Sequence, residues 1–239
     1  MDIFETWLVN NYIANGGFVD NNCENTLAAF ESAINNGYAV LLDVQGLSDG
    51  TIICYKDNVL KTNTNKNAYV SNLTSIDVKN TQLKDGNTIP TFEEALELIN
   101  GKTPILVNII NNTCANKLES AIFKILKSYK GEYAICSANP TTVKYFTENH
   151  PTILCGIKVE DFAEKMDGSF KTKCLKKLKY NKFCNPQFIM YYHNGLPNRF
   201  VKKHKQIPLI ATDISNQEQY LKLIKYCDNI TFNAFNPTI

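Results

Sequence analysis

The sequence predicts a (β/α)8 TIM barrel with an insertion between the second strand and the second helix. First, its 239 residues fit a fold that typically has about 250 residues. Second, eight short apolar runs are typical of parallel strands covered on both faces; they span residues 12–14, 39–44, 105–109, 133–136, 153–157, 188–192, 208–211 and 229–232. Third, amphipathic stretches separate these runs. A doubly wound open sheet is the second choice, because the sequence has no glycine-rich nucleotide motif.

The predicted helices have recognisable starts and stops. Segment 24–37, ENTLAAFESAINNG, has apolar residues at helical spacing and closes on Gly37. In segment 90–101, PTFEEALELING, Thr91 can cap a helix whose first turn carries two glutamates, and Gly101 closes it. The same pattern predicts helices over residues 117–131, 140–150, 196–205 and 216–227.

One connection is much longer than the others. Residues 46–90 separate the second strand from its helix, and they include the strand-like TIICY and the polar stretch KTNTNKNAYVSNLT. Loops that follow barrel strands lie at the end where active sites form, so we expect this insertion to border the site. No Pro/Ser-rich or low-complexity linker divides the sequence, which predicts a single domain over residues 1–239.

Composition excludes several classes of protein. With 44% hydrophobic and 20% charged residues, the chain is too apolar to be disordered. A net charge of +2 argues against a nucleic-acid partner bound through a basic field. No apolar run is long enough to span a bilayer, and the N-terminus lacks the pattern of a secretory signal. The eight cysteines form no CxxC pair, so we expect buried, reduced thiols and a cytoplasmic location.

Several segments carry the motifs of a known family. Residues 13–60 read IANGGFVDNNCENTLAAFESAINNGYAVLLDVQGLSDGTIICYKDNVL. This resembles the signature of the glycerophosphodiester phosphodiesterase family, in which IAHRG, PENTLAAF, an ELDVQ element with a later DG, and VVxHDxxL follow one another. KTNTNKNAYVSNLT is similar to the family's RTTNG segment, IPTFEEALELI to its IPTLEEVLEL, and DNITFNAFNPT to its DGIITDxPD. The resemblance independently implies a TIM barrel with an insertion after strand two.

The resemblance also implies a mechanism. In the family two histidines act as acid and base around a phosphodiester, an arginine binds the phosphate, and two glutamates and an aspartate hold a divalent cation. Matched position by position, this chain keeps only the aspartate of the metal site, Asp43. The histidine positions hold Asn15 and Lys56, the arginine position holds Gly16, and the glutamate positions hold Leu41 and Asn108.

These replacements remove the chemistry of metal-dependent hydrolysis. Asn15 can hydrogen-bond a substrate oxygen but cannot exchange a proton near neutral pH. Leu41 has no lone pair for a cation, so Asp43 with the amide of Asn108 retains one of the three charges. The affinity for Mg²⁺ or Ca²⁺ is then expected to fall by orders of magnitude. We therefore expect no metal or other cofactor.

Lys56, at the second catalytic position, has three interpretations. Burial could lower its pKa so that it acts as an acid. Alternatively, its ammonium could stand where the cation's charge was, pair with Asp43 and hold an anion. The third interpretation is a solvated loop lysine, which is the commonest state of this residue type.

Other candidate binding residues surround the same end of the predicted barrel. His193 follows the sixth strand and would lie near the rim. Glu24 could point into the mouth of the barrel or occupy the first turn of a helix. Gly16 and Gly17 would leave the backbone open to a ligand, with Asn108 beside them.

The sequence thus predicts a degenerate family member that keeps the barrel. It would retain a weak pocket for a small phosphate- or glycerol-bearing ligand, with Asn15 and Lys56 at the former catalytic positions. One alternative is an active phosphoric diester hydrolase with a rearranged site. A second is a purely structural barrel, and the sequence identifies no protein partner.

Overall fold

A closed barrel of eight parallel strands forms the centre of the molecule. The computed structural model describes residues 2–19, 23–60, 64, 67–161 and 169–238. The strands in this part of the chain are β1 (Ile13–Asn15), β2 (Ala39–Gly46), β3 (Ile52–Cys54), β4 (Ile105–Ile109), β5 (Tyr133–Ser137), β6 (Cys155–Val159), β7 (Phe188–Tyr192), β8 (Leu209–Ile214) and β9 (Asn229–Phe232). β3 pairs antiparallel with β2, and the other pairs are parallel. Because β1 pairs with both β2 and β9, the sheet closes, which excludes the open-sheet alternative.

Helices follow the barrel strands and cover their outer faces. The described part of the chain contains α1 (Trp7–Asn10), α2 (Leu27–Asn35), α3 (Ser75–Lys79), α4 (Phe92–Ile99), α5 (Lys117–Leu126), α6 (Pro140–Asn149), α7 (Phe170–Lys176), α8 (Asn181–Cys184) and α9 (Gln217–Leu223). The predicted cap of α4 is confirmed: the Thr91 hydroxyl accepts from the backbone N–H of Glu94, whose carboxylate accepts from the N–H of Thr91.

Two sequence-based predictions about these elements are wrong. Segment 196–205 forms only a short 3₁₀ turn, Val201–Lys203. The reason is local, since the Asn198 side chain accepts hydrogen bonds from the N–H groups of Phe200 and Val201 and turns the chain there. The second error is the position of β6, which was predicted over residues 153–157 and lies two residues later, at Cys155–Val159.

The interior of the barrel is apolar over most of its depth. The side chains that form this apolar interior come from six of the eight barrel strands: Ile13, Ala39, Leu41, Leu106, Ala134, Cys136, Phe188, Met190 and Ile210. Trp7 and Leu8 of α1 pack against the same cluster. The backbone oxygen of Leu8 accepts a hydrogen bond from the Asn229 side chain, which ties α1 to β9. The larger cluster on the outer face of the strands packs against the surrounding helices.

The insertion after β2 has a small core of its own. Its buried apolar side chains are Leu47, Ile53, Tyr55, Leu60, Val70, Val78, Leu83 and Ile89. The Asp49 carboxylate accepts from the backbone N–H groups of Ser75 and Thr51, and these bonds hold the pKa of Asp49 well below its usual range. Lys56 and Asn58 of the insertion line a cavity together with Asp43 and Asn108, so the insertion borders the carboxyl end of the strands, where it was expected.

The cysteines and helices bear on two further predictions. All eight cysteines lie in described ranges and are free thiols, and five of them are buried. Cys114 is exposed, so the expectation of buried thiols is wrong for that residue. In the ranges that the structure describes, no helix has both the length and the apolar character needed to cross a membrane.

Candidate active site

Polar side chains replace apolar ones where the barrel strands end. Successive residues of a strand alternate between the interior and the helical layer, so the residue two positions beyond an interior residue also faces inward. Asn15 follows Ile13, Asp43 follows Leu41, and Asn108 follows Leu106 in this way, and Lys158 occupies the corresponding position of β6. These four residues, called the polar layer below, are at most 5% exposed.

Asp43 is the most highly bonded member of the polar layer. Its Oδ1 accepts from Asn108 Nδ2 at 2.6 Å, and its Oδ2 accepts from Asn25 Nδ2 at 2.9 Å. The Asn25 side-chain oxygen in turn accepts from the backbone N–H of Asp43. Because the register pairs Asp43 directly with Asn108, the strands themselves fix this contact. Both carboxylate oxygens are therefore committed to amide donors.

Asn15 contacts a residue that the sequence did not single out. Its Nδ2 donates to Asp213 Oδ1 at 3.0 Å. Asp213 lies on β8 at a register irregularity and has a φ of +61°, a conformation that aspartate tolerates better than most residues. The amide of Asn15 therefore binds a carboxylate of the protein itself.

Lys56 forms an ion pair with Glu24 rather than with Asp43. Lys56 Nζ lies 3.5 Å from Glu24 Oε2, and the two side chains are 38% and 28% exposed. Glu24 precedes α2, whose cap is supplied by Thr26, and its carboxylate contacts Lys56. Of the three interpretations of Lys56, the one in which it pairs with Asp43 is not observed, since its ion pair is with Glu24.

Burial and neighbouring charges act in opposite directions on this pair. Burial alone would lower the pKa of Lys56, but the carboxylates of Glu24 and Asp43 outweigh it and raise the pKa. Burial raises the pKa of Glu24 more than the adjacent ammonium lowers it. Lys56 thus stays protonated at neutral pH, which is opposite to what an acid with a lowered pKa requires.

Lys158 is a second residue of the candidate site, after Asp213, that the sequence analysis did not single out. It is 5% exposed, although lysine is rarely buried without a partner. Burial alone would lower its pKa, but the carboxylates of Asp43, Glu160 and Asp213 raise it above the ordinary value. The signal was present in the sequence as a lysine inside the apolar run CGIKV. It was overlooked because the predicted strand ended at Ile157.

The two glycines after Asn15 do not provide open space. A Cβ on Gly16 would lie 2.7 Å from the Cβ of Glu24, and a Cβ on Gly17 would lie 2.6 Å from the backbone of Ala29. These positions were expected to leave the backbone open to a ligand. That expectation is wrong on the side where a Cβ would lie, because Glu24 and Ala29 already fill that space. The two glycines allow the chain to turn tightly against the start of α2.

His193 is directed towards a neighbouring strand. It begins the 3₁₀ turn after β7, and its Nδ1 lies 3.1 Å from the carbonyl oxygen of Thr212 on β8, to which it donates. The residue is 8% exposed. It is not one of the described residues that line the cavity above the polar layer. The geometry therefore connects His193 to the barrel wall.

A cavity of about 230 Å³ opens above the polar layer. This mouth cavity is lined by polar side chains from both halves of the barrel and from the insertion, including Asp43, Lys56, Asn108, Asn139, Lys158 and Lys171. Its charged lining consists of three lysines and two carboxylates, the second carboxylate being Glu160, which gives a net charge of +1. A second cavity, the acidic rim cavity, shares Lys56 and Lys158 but adds Asp57, Asp161 and Asp213, so its lining is net negative.

Comparison with known proteins decides the family. The sequence profile of the Glycerophosphoryl diester phosphodiesterase family matches residues 15–219. The chain belongs to this family. The resemblance inferred from the motifs is thereby confirmed.

Two curated relatives are both named glycerophosphodiester phosphodiesterase. The protein from Bacillus altitudinis is 34% identical over 104 residues, which cover 40% of this chain and 42% of that protein. The protein from Caldanaerobacter subterraneus is 32% identical over 131 residues, which cover 50% of this chain and 54% of that protein. The chain thus spans about half the length of the curated relatives it matches.

Solved structures of the family share the fold. A phosphodiesterase from Oleispira antarctica, in complex with the product sn-glycerol-3-phosphate, superposes with a TM-score of 0.79 at 19% identity and covers 94% of this chain and 92% of its own. A glycerophosphodiester phosphodiesterase from Thermotoga maritima gives a TM-score of 0.71 at 21% identity, with coverage of 92% and 93%. The predicted TIM barrel is confirmed.

The polar layer does not fit the cation that the resemblance implies. In the described ranges, no three His, Cys, Asp or Glu side chains converge as ligands. Leu41 belongs to the apolar interior, and Asn108 presents its amide nitrogen, not its oxygen, to Asp43. A hard divalent cation prefers several oxygen ligands. The donor set here offers one carboxylate whose oxygens already accept hydrogen bonds.

Proposed function

We propose that this protein is a degenerate glycerophosphodiester phosphodiesterase whose mouth cavity binds a small phosphate- or glycerol-bearing ligand. It would lack the groups for the family's metal-dependent hydrolysis. We assign it to lipid metabolism in the cytoplasm, where its eight thiols would stay reduced. The proposal concerns what the barrel binds, since a fold alone does not determine activity.

The observation that carries the proposal is the state of Asp43. In an active metal site its carboxylate would face a cation together with two glutamates. Here the Asn25 and Asn108 amides donate to its two oxygens at 2.9 and 2.6 Å. Each oxygen of Asp43 thus accepts one amide hydrogen bond, which uses part of the acceptor capacity that a metal would need. Asn108, which stands at a glutamate position of the family, has become a hydrogen-bond donor to Asp43.

The charge of the mouth cavity supports an anionic ligand. Its lining is net positive, through Lys56, Lys158 and Lys171. At about 230 Å³ it is smaller than the roughly 300–1,000 Å³ typical of drug-sized ligands, so it suits a small molecule. The Oleispira antarctica phosphodiesterase, which shares the fold, was solved with sn-glycerol-3-phosphate. A ligand of that class would suit the size and the charge of this cavity.

An active hydrolase with a rearranged site is the second candidate, and the Glu24–Lys56 pair favours it. The carboxyl group of Glu24 is near the mouth and has a raised pKa, which is a property of general acids. In this alternative Glu24 would deliver a proton to the leaving alcohol while Lys56 would bind the phosphate.

A hydrolysis assay separates the two candidates. Purified protein is incubated with glycerophosphocholine in Mg²⁺, in Ca²⁺ and in EDTA, and glycerol 3-phosphate release is measured beside the Asp43→Ala variant. We expect no release above that of the variant under any condition. Metal-dependent turnover that is lost in Asp43→Ala would overturn the proposal. Turnover in EDTA that is lost in Glu24→Gln would establish the rearranged hydrolase.

A further inference from the structure

Among the residues that the structure describes, the Nζ of Lys158 makes no hydrogen bond and no ion pair within 4.0 Å. The residue is only 5% exposed, yet it lines the mouth cavity, and its Nζ is not one of the buried atoms that lack a partner. An ammonium carries three donors. A ligand in the mouth cavity could accept from them.

Strand geometry directs this side chain into the barrel. On β6, Cys155, Ile157 and Val159 pack in the outer cluster that faces the helices. Gly156 and Lys158 therefore face inward. The ring of Phe188 occupies the space beside Gly156, since a Cβ there would lie 2.3 Å from it. Lys158 consequently extends towards the open end, where it lines the mouth cavity.

The charges around Lys158 keep it ionised. The groups that act on it electrostatically are the carboxylates of Asp43, Glu160 and Asp213, the thiol of Cys136, and the ammonium of Lys56. The carboxylates of Asp43 and Asp213 accept amide hydrogen bonds from other residues, so they balance the charge of Lys158 without supplying acceptors at its Nζ. The pKa of Lys158 is raised, and its charge is retained throughout the neutral range.

Most of the neutral side-chain donors that line the mouth cavity are already engaged. The Asn108 amide donates to Asp43, the Ser137 hydroxyl donates to the carbonyl of Ile109, and the Asn139 amide donates to backbone oxygens. An incoming anion would therefore find its charged donors on the lysines, beside the amide of Asn58. Lys56 is already paired with Glu24, which leaves Lys158 as the buried cation with free donors.

We propose that Lys158 is the anion-binding residue of the mouth cavity and takes a phosphate group without a divalent cation. The ligand class is a tetrahedral dianion, either free phosphate or a phosphomonoester. The ammonium would donate to the phosphate oxygens on the net-positive side of the mouth, away from the acidic rim cavity. This inference rests on the proposed function and names the residue that carries it.

The test is a set of NMR titrations in EDTA. Sulfate, inorganic phosphate, glycerol 3-phosphate and glycerol are each added to the wild-type protein and to Lys158→Met, Lys158→Arg and Lys173→Met. Lys173 is an exposed lysine on α7 and serves as the matched control. Because Lys158 keeps its charge, the affinity for sulfate, which stays a dianion, is expected to be equal at pH 7 and pH 9.

We expect wild-type dissociation constants in the millimolar to high micromolar range, roughly 0.1–10 mM. Lys158→Met should weaken anion binding at least about tenfold, the equivalent of one charge-assisted hydrogen bond. Lys158→Arg and Lys173→Met should bind within about threefold of wild type, which is under 1 kcal/mol in binding free energy. If Lys158→Met does not fold, the lysine ε-methylene resonances of the wild-type protein test the proposal instead. The Lys158 signal should shift when sulfate is added, and the Lys173 signal should not.

The outcomes separate the two proposals. Wild-type binding that is unchanged in Lys158→Met, or a Lys158 resonance that does not respond, overturns this inference and leaves the proposed function standing. If none of the anions binds the wild-type protein, the ligand pocket itself is wrong and both proposals fail. Tighter binding of glycerol 3-phosphate than of phosphate assigns the site to a phosphomonoester, and equal binding assigns it to free phosphate.

Discussion

The apolar interior and the polar layer lie next to each other in one barrel and differ in how their side chains are satisfied. Leu106 and Asn108 are two residues apart on β4 and face the same interior, yet one packs in a sealed apolar cluster and the other bonds to Asp43. The apolar interior is filled as in any stable barrel of this fold. Three of the four residues of the polar layer stand at positions that the resemblance assigns to the family's site, and two of them, Asn15 and Asn108, differ from the residues it implies.

The comparison teaches which constraints each region obeys. Residues of the apolar interior are required by packing, because an empty space there costs stability directly. Buried amides at this end of the barrel need hydrogen-bond partners, because a buried polar group without a partner is costly. Asn15, Asn25 and Asn108 meet this second requirement by donating to Asp213 and Asp43. A polar layer with a single carboxylate can thus be a sound part of the fold.

The largest expected effect is in the apolar interior. Leu106 is completely buried, so Leu106→Ala is expected to lower the free energy of unfolding by roughly 2–5 kcal/mol, through lost contacts and the cavity left behind. Urea denaturation measures this change. Leu221→Ala, at a leucine that is 55% exposed, is the control and should change stability by less than about 0.5 kcal/mol. Equal losses in the two variants would mean that the interior is not packed as described.

A smaller effect on stability is expected at Gly17, which follows β1 and precedes α2. Gly17 has a φ of +89°, and a Cβ there would meet the backbone of Ala29 at 2.6 Å. Gly37 has a φ of +74° with nothing within 4 Å of a Cβ. Gly37→Ala is expected to cost about 1 kcal/mol from the backbone conformation alone. Gly17→Ala should cost at least about 1 kcal/mol more, because of overpacking.

Urea denaturation of this pair measures the difference directly. Matching midpoints for the two variants would show that the segment after β1 yields to an added methyl group. Its close approach to α2 would then be no constraint, and Gly17 would be free for another role. A clear excess loss in Gly17→Ala would support its assignment to packing.

Much of the fold could be predicted from the sequence. The apolar runs at 105–109, 188–192 and 229–232 coincide with β4, β7 and β9, because turn residues bound them clearly. The cap of α4 follows from local chemistry at Thr91. The helix predicted over segment 196–205 is wrong because the apolar residues there have helical spacing although the chain turns. The turn depends on hydrogen bonds to the Asn198 side chain, which the spacing of apolar residues does not reveal.

The site was predictable where motifs carried it and not where long-range contacts did. The motifs predict that Asn15, Asp43, Lys56 and Asn108 lie at the mouth. Asp43, Lys56 and Asn108 line the mouth cavity, and Asn15 contacts Asp213, which lines the acidic rim cavity. Lys158 was missed because a boundary error of two residues removed it from its strand. The contact of Asn15 with Asp213 spans 198 positions and depends on barrel closure, which no local pattern specifies.

The central claim is that a lysine has taken the place of a metal in the mouth of this barrel. A crystal structure obtained with glycerol 3-phosphate and Mn²⁺, with anomalous scattering recorded for manganese, tests it most directly. We predict a phosphate oxygen within about 3 Å of Lys158 Nζ, the distance of a charge-assisted hydrogen bond, and no anomalous peak beside Asp43. A manganese ion coordinated by Asp43, with the Asn25 and Asn108 amides turned away from it, would contradict the account.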